Sequence, residues 1–215
     1  MIMHRLFAAV SLVVFVAAPL RAEEEQFTSL FNGQDTAGWE VVGGPAESWS
    51  VQDGILATNG EGGGWLSTDR EYANFEFRLE FRVPADGNSG VFIRAPREGS
   101  PWIDGMEIQL LDDYAEIHAN LEPYQYCGSV YGVAAAHPRV SKKAGEWQSI
   151  SIRCQGSKVR IQLNGETIVD ADLADHQDKA EKIPGINRPR GFIGLQNHGK
   201  PTEFRNIEIA ELAAE

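Results

Sequence analysis

The chain has only two cysteines, Cys127 and Cys154, among 215 residues. A multi-disulfide scaffold is therefore excluded, and so is a CxxC-type metal site. Cys154 continues the alternation Ile150, Ile152, Cys154 and reads as a small buried hydrophobe, so the two thiols are expected to stay unpaired. Basic residues are also scarce. Nineteen Lys and Arg face 31 Asp and Glu, a net charge of −12, which argues against binding to a phosphate backbone. Sustained 3.6-residue periodicity is missing, and Asp172 to Lys182 has room for one short helix at most. There is no GxSxG nucleophile elbow and no HExxH zinc motif. Gly60 to Gly64 lacks the Lys-Ser/Thr ending of a phosphate loop.

Only one long hydrophobic run is present, Leu6 to Leu20, preceded by His4 and Arg5 and followed by Arg21-Ala22. It is short for a membrane span, which needs about 20 residues. It has the order of a secretory signal over residues 1–22. Cleavage there would leave an acidic mature chain, exported to the periplasm or the extracellular space, with no membrane span. Residues 23–26 read as a flexible leader, 27–212 as a single domain and 213–215 as a tail.

What fills that domain is a period of two. In Phe75-Glu76-Phe77-Arg78-Leu79-Glu80-Phe81-Arg82-Val83, apolar residues alternate with charges, the pattern of a half-buried antiparallel strand. Further strands are predicted at Gly90 to Ala95, Gly105 to Leu111, Ser149 to Arg153, Lys158 to Leu163, Gly191 to Gln196 and Glu203 to Ile209. Asn164-Gly165 between two such runs predicts a tight hairpin. Short strands with turns at this spacing indicate an all-β sandwich or jelly roll of antiparallel sheets.

Neighbouring side chains on a strand point to opposite faces. Met106, Ile108 and Leu110 take the core face, which sends Glu107 and Gln109 to the other. The same parity sends Arg94 outward beside Phe92, and Gln196 and His198 outward from Ile193 and Leu195. If these strands share one curved sheet, an Arg, a carboxyl, two amides and an imidazole converge in a groove suited to a sugar. The blander alternatives are a solvated Glu107–Arg94 pair, a turn histidine at 198, a strand end at Asp112-Asp113, and tryptophans serving as core or edge aromatics.

Specific stretches carry a resemblance. They include Leu30-Phe31-Asn32-Gly33-Gln34-Asp35, Trp49-Ser50-Val51-Gln52-Asp53-Gly54, Gly64-Trp65-Leu66-Ser67-Thr68 and Asn88-Ser89-Gly90-Val91-Phe92-Ile93-Arg94. Gly105-Met106-Glu107-Ile108-Gln109, Gly128-Ser129-Val130-Tyr131-Gly132 and Gly194-Leu195-Gln196-Asn197-His198-Gly199 follow in order. Together they resemble the 3-keto-disaccharide hydrolase family, also described as 3-keto-glucoside 1,2-lyase/3-keto-2-hydroxy-glucal hydratase. The resemblance implies a concanavalin A-like jelly roll with its substrate in the cleft. The motif with the acid, Glu107 and Gln109, and the His198 motif are both intact; with the facing groups read above, Glu107, His198 and Arg94 are the candidate catalytic residues, and Gln109, Gln196, Trp65, Asn88, Tyr131 and Asp113 the candidate substrate contacts.

The chemistry expected is elimination. A ketone at C3 acidifies the C2 hydrogen, so a base can remove it and the C1 substituent can leave; water adding back gives net hydrolysis. This needs a base, an enolate stabiliser and an acid, rather than the two spaced carboxylates of ordinary glycosidases. His198 is a base or acid by residue type. Glu107 is a base or a metal ligand, and Arg94 or a divalent cation on Glu107 and His198 would stabilise the enolate. Without a redox cofactor motif, a separate sugar 3-dehydrogenase is expected upstream. The alternative is a non-catalytic carbohydrate-binding module on the same lectin-like scaffold.

Overall fold

The structure is a computed structural model that describes residues 25–214. The signal segment expected over residues 1–22 lies outside the described residues. Thirteen strands follow in chain order: β1 (Thr28–Ser29), β2 (Trp39–Val42), β3 (Trp49–Gln52), β4 (Ile55–Thr58), β5 (Trp65–Thr68), β6 (Phe75–Arg82), β7 (Asn88–Ala95), β8 (Met106–Leu111), β9 (Gln148–Gln155), β10 (Lys158–Leu163), β11 (Glu166–Asp172), β12 (Phe192–Gln196) and β13 (Thr202–Glu211). One turn of α-helix, α1 (Pro101–Asp104), sits between β7 and β8. The region expected to hold a short helix forms a kinked 3₁₀ segment, Leu173–Lys179.

The strands form two antiparallel sheets packed face to face, the jelly roll expected from the alternation. One has the order β11-β10-β9-β6-β13-β4-β3, with β1 also on β13; the other has the order β2-β5-β12-β7-β8. Phe75, Phe77 and Phe81 of β6 and Phe204 of β13 are fully buried from one sheet; Leu66, Val91, Ile93, Ile108, Leu110 and Leu195 meet them from the other. Burying each such side chain contributes about 1.5–3 kcal/mol, so the core alternation fixes strand register. Asn164 and Gly165 both take positive φ, 53° and 88°, as a tight hairpin turn requires. Cys127 and Cys154 are buried and free. Among the described residues no helix is long and apolar enough to cross a membrane.

Candidate active site

The outer face of the five-stranded sheet carries the site. Glu107 pairs with Phe92, Gln109 with Gly90 and Leu111 with Asn88 across β8 and β7. Gly194 pairs with Phe92 and Leu195 with Val91, which brings Gln196 alongside Gly90. Gln109, Gly90 and Gln196 thus form one row, with a glycine at its centre. A Cβ on Gly90 would lie 2.4 Å from Glu107 Oε1. The missing side chain is the space into which Glu107 leans to accept a hydrogen bond from Gln196.

Loops roof this face. After β8, residues 128–131 run beside it as an extra edge: Gly128 N–H donates to Gln109 O at 2.7 Å, Gln109 N–H to Ser129 O at 3.0 Å, and Tyr131 N–H to Glu107 O at 2.8 Å. Tyr131 is thereby fixed next to Glu107. Its hydroxyl accepts from Gln125 at 2.7 Å, and its ring meets Trp102 of α1 edge-on at 6.3 Å. The cleft, open to solvent on one side, has a volume of about 440 Å³, with Asn88, Glu107, Gln109, His118, Tyr131 and Gln196 among its walls and Trp102 and His198 at its rim.

Glu107 is 6% exposed. Burial pushes its carboxyl up to about 8, and the Gln196 hydrogen bond pulls only partly against that. At neutral pH the carboxyl is therefore mostly protonated. Gln109 Oε1 and Gln196 Oε1 are buried with no hydrogen-bond partner among the described residues. Such orphans cost about 1–3 kcal/mol each, and a bound hydroxyl would satisfy them.

Of the residues singled out from sequence, Glu107, Gln109, Gln196, Asn88, Tyr131 and His198 come together in the cleft. Three do not. Arg94 has φ +49°, and the β7–β12 register shifts between Phe192 and Gly194. This bulge breaks the parity on which Arg94 was placed. Its guanidinium instead donates to Ala73 O at 2.9 and 3.2 Å and to Arg188 O at 3.4 Å. Asp113 ties loops together, accepting from Cys127 N–H at 2.9 Å and Ser141 Oγ–H at 2.7 Å. Trp65 belongs to the sheet's apolar floor: it lies over Gly194, where a Cβ would approach its ring to 2.0 Å, and meets Phe92 edge-on at 5.6 Å.

Sequence reasoning missed His118, Leu121 and Gln125 as cleft residues, and read Trp102 only as a core or edge aromatic. The first three lie in short 3₁₀ turns and the loop between them after β8, where no strand period assigns a face. Trp102 is 41% exposed directly after Pro101, the one signal that a short proline-started helix presents it.

A cation held by Glu107 and His198 has little support in the donor set. Among the described residues no three His, Cys, Asp or Glu side chains gather, and a hard cation takes about six to eight oxygens.

A Bacteroides thetaiotaomicron protein named 3-keto-disaccharide hydrolase is 27% identical, over 90% of this chain and 81% of its own length. A solved Parabacteroides distasonis structure, described as a candidate glycosyl hydrolase, is 32% identical with a TM-score of 0.75, covering 87% of this chain and all of that one. A Bacillus subtilis protein of galectin-like fold, 13% identical with a TM-score of 0.59 over 89% of this chain and 99% of its own, shares the fold alone. The model of the 3-keto-alpha-glucoside-1,2-lyase-like domain matches residues 26–210, and the chain belongs to that family.

Proposed function

We propose that this protein is an exported enzyme that cleaves 3-keto-glycosides, removing the proton at C2 and expelling the C1 substituent, with water then adding to give net hydrolysis. The observation that carries the reading is Glu107, a buried, mostly neutral carboxyl on the floor of a sugar-sized cleft. A glycosidic oxygen is a poor leaving group and departs readily only when protonated, and a neutral carboxyl held out of water is suited to protonate it. A binding module has no use for such a group, since amides and aromatic rings suffice to hold a sugar.

The rest of the cleft fits the same substrate. Gln109 Oε1 and Gln196 Oε1 accept ring hydroxyls, and Asn88 adds a further amide. Trp102 offers an exposed indole edge at the rim, against which a second sugar ring can pack. The ketone must be made elsewhere by a sugar 3-dehydrogenase. The name of the Bacteroides relative supports this substrate class.

The test is to incubate a 3-keto-glucoside with the protein in deuterium oxide, following deuterium entry at C2 by NMR and aglycone release by chromatography. Exchange and release are both expected. Saturable binding with neither would replace the enzyme by the carbohydrate-binding module.

A further inference from the structure

With Glu107 on the cleft floor as the acid, the reaction also needs a base, and the structure holds a buried imidazole suited to the task. His118 lines the cleft and is 9% exposed. Its Nδ1 lies 2.9 Å from the main-chain carbonyl oxygen of Asp112. A carbonyl only accepts, so Nδ1 carries the proton; in the neutral ring Nε2 then holds the lone pair. That tautomer is locked by a rigid loop. Asp112 N–H donates to Gly87 O at 3.0 Å, and its carboxylate accepts from Asp86 N–H at 3.1 Å and Tyr114 N–H at 3.2 Å. Ala115 N–H and His118 N–H close two further turns at 3.2 and 3.0 Å. His198, by contrast, is exposed, and its ring makes no hydrogen bond among the described residues. The titratable side chains lining the cleft are Glu107, His118, Tyr131 and His198.

We propose that His118, through Nε2, is the base that takes the C2 proton, with Glu107 of the same cleft as the acid. This rests on the 3-keto-glycoside reading. Nε2 accepts the C2 proton as the C2–H pair moves into an enolate on the C3 oxygen. The enolate collapses to a C1–C2 double bond while the C1–O bond breaks, and Glu107 gives its proton to the departing oxygen. His118 is now imidazolium and Glu107 carboxylate. In the return step water adds its oxygen to C1, the Glu107 carboxylate takes the water's proton, and His118 returns its proton to C2. Both side chains end as they began, and the sum is one glycoside plus one water giving the free 3-keto sugar and the free alcohol.

Asparagine can place its amide N–H where Nδ1–H stands, so His118→Asn can keep the Asp112 bond while deleting Nε2. The experiment compares wild type, His118→Asn and Glu107→Gln on 3-keto-glucosides bearing either a sugar or a 4-nitrophenol aglycone, in deuterium oxide. His118→Asn should lose C2 exchange and cleavage of both substrates by about 100-fold or more, with its melting temperature retained. Glu107→Gln should keep C2 exchange, lose cleavage of the disaccharide, and recover cleavage of the nitrophenyl substrate, whose leaving group needs no proton. If His118→Asn melts early, His118→Ala with added imidazole replaces it, and rescue of exchange is the expected result. Wild-type exchange in His118→Asn, or no imidazole rescue in His118→Ala, overturns the assignment while leaving the enzyme reading intact. Absence of exchange in the wild type overturns both.

Discussion

The two sheets obey the same alternation, yet their outer faces have opposite fates. On the eight-stranded sheet outward charges of β6, β9 and β13 pair with one another at the solvated surface. Glu76 pairs with Arg78 and Arg153, Glu80 with Arg205, and Glu203 with Arg82. Arg82 and Arg205 also stack on Trp147 at 4.8 and 4.0 Å. On the five-stranded sheet the outward groups are roofed by the loops after β8: Glu107 is buried, and Gln109 Oε1 and Gln196 Oε1 lack hydrogen-bond partners among the described residues. Solvated ion pairs are each worth about 0–1 kcal/mol. Buried groups without partners are a standing cost, and a fold keeps them where a ligand repays it. The difference separates a face that stabilises from a face shaped to hold a ligand.

The sharpest break of that contrast is Glu107→Gln. Cleavage of a disaccharide substrate should fall by about 10²–10⁴-fold, and the wild-type rate should itself decline as pH rises through about 8, where the carboxyl ionises. A rate that climbs through that pH instead would give the carboxylate, not the acid, the working role.

Stability should follow the same group. Below its ordinary value of 4.5 the carboxyl is protonated in both folded and unfolded chains. Between 4.5 and about 8 the unfolded chain ionises while the folded one does not, so stability falls across that window and levels off above it. The full span is worth at most about 5 kcal/mol. Urea titrations at pH 5 and pH 9 should show this loss in the wild type and not in Glu107→Gln.

Gly90→Ala sets a methyl against the Glu107 carboxyl. An activity loss of about 100-fold is expected from the displacement, with Gln109 and Gln196 unchanged, and kcat should fall more than KM rises. Trp102→Ala should raise KM for a disaccharide several-fold, about 1 kcal/mol, with little change for a methyl glycoside. Smallest of all, Glu203→Gln on the opposite sheet should cost under about 1 kcal/mol in urea and leave kcat untouched. A large activity effect there would erase the division between the two faces.

Much of the site was legible because a strand has a period of two. Glu107 and Gln109 had to face away from Met106, Ile108 and Leu110, and Gln196 away from Leu195. Arg94 obeyed the same rule on paper and failed in space, because one extra residue in β7 turns the chain to φ +49° and hands the side chain to Ala73 and Arg188 carbonyls. A bulge of that kind leaves no mark in hydrophobic alternation when the residue involved is polar. His118 was invisible for a different reason. It lies in a loop whose shape is set by hydrogen bonds to Asp112 and Gly87, and no local pattern encodes those.

The sequence by itself determined the longer strands from β6 onward, their inner and outer faces except at the β7 bulge, and therefore the jelly roll, since burial of alternate apolar residues is decided locally along each strand. Only the tertiary structure decided which outward groups lose their water. Desolvation depends on loops arriving from elsewhere in the chain, and it is desolvation that makes Glu107 a neutral acid and leaves the amides beside it unpaired, while the loop's own folding holds one nitrogen of His118 in place.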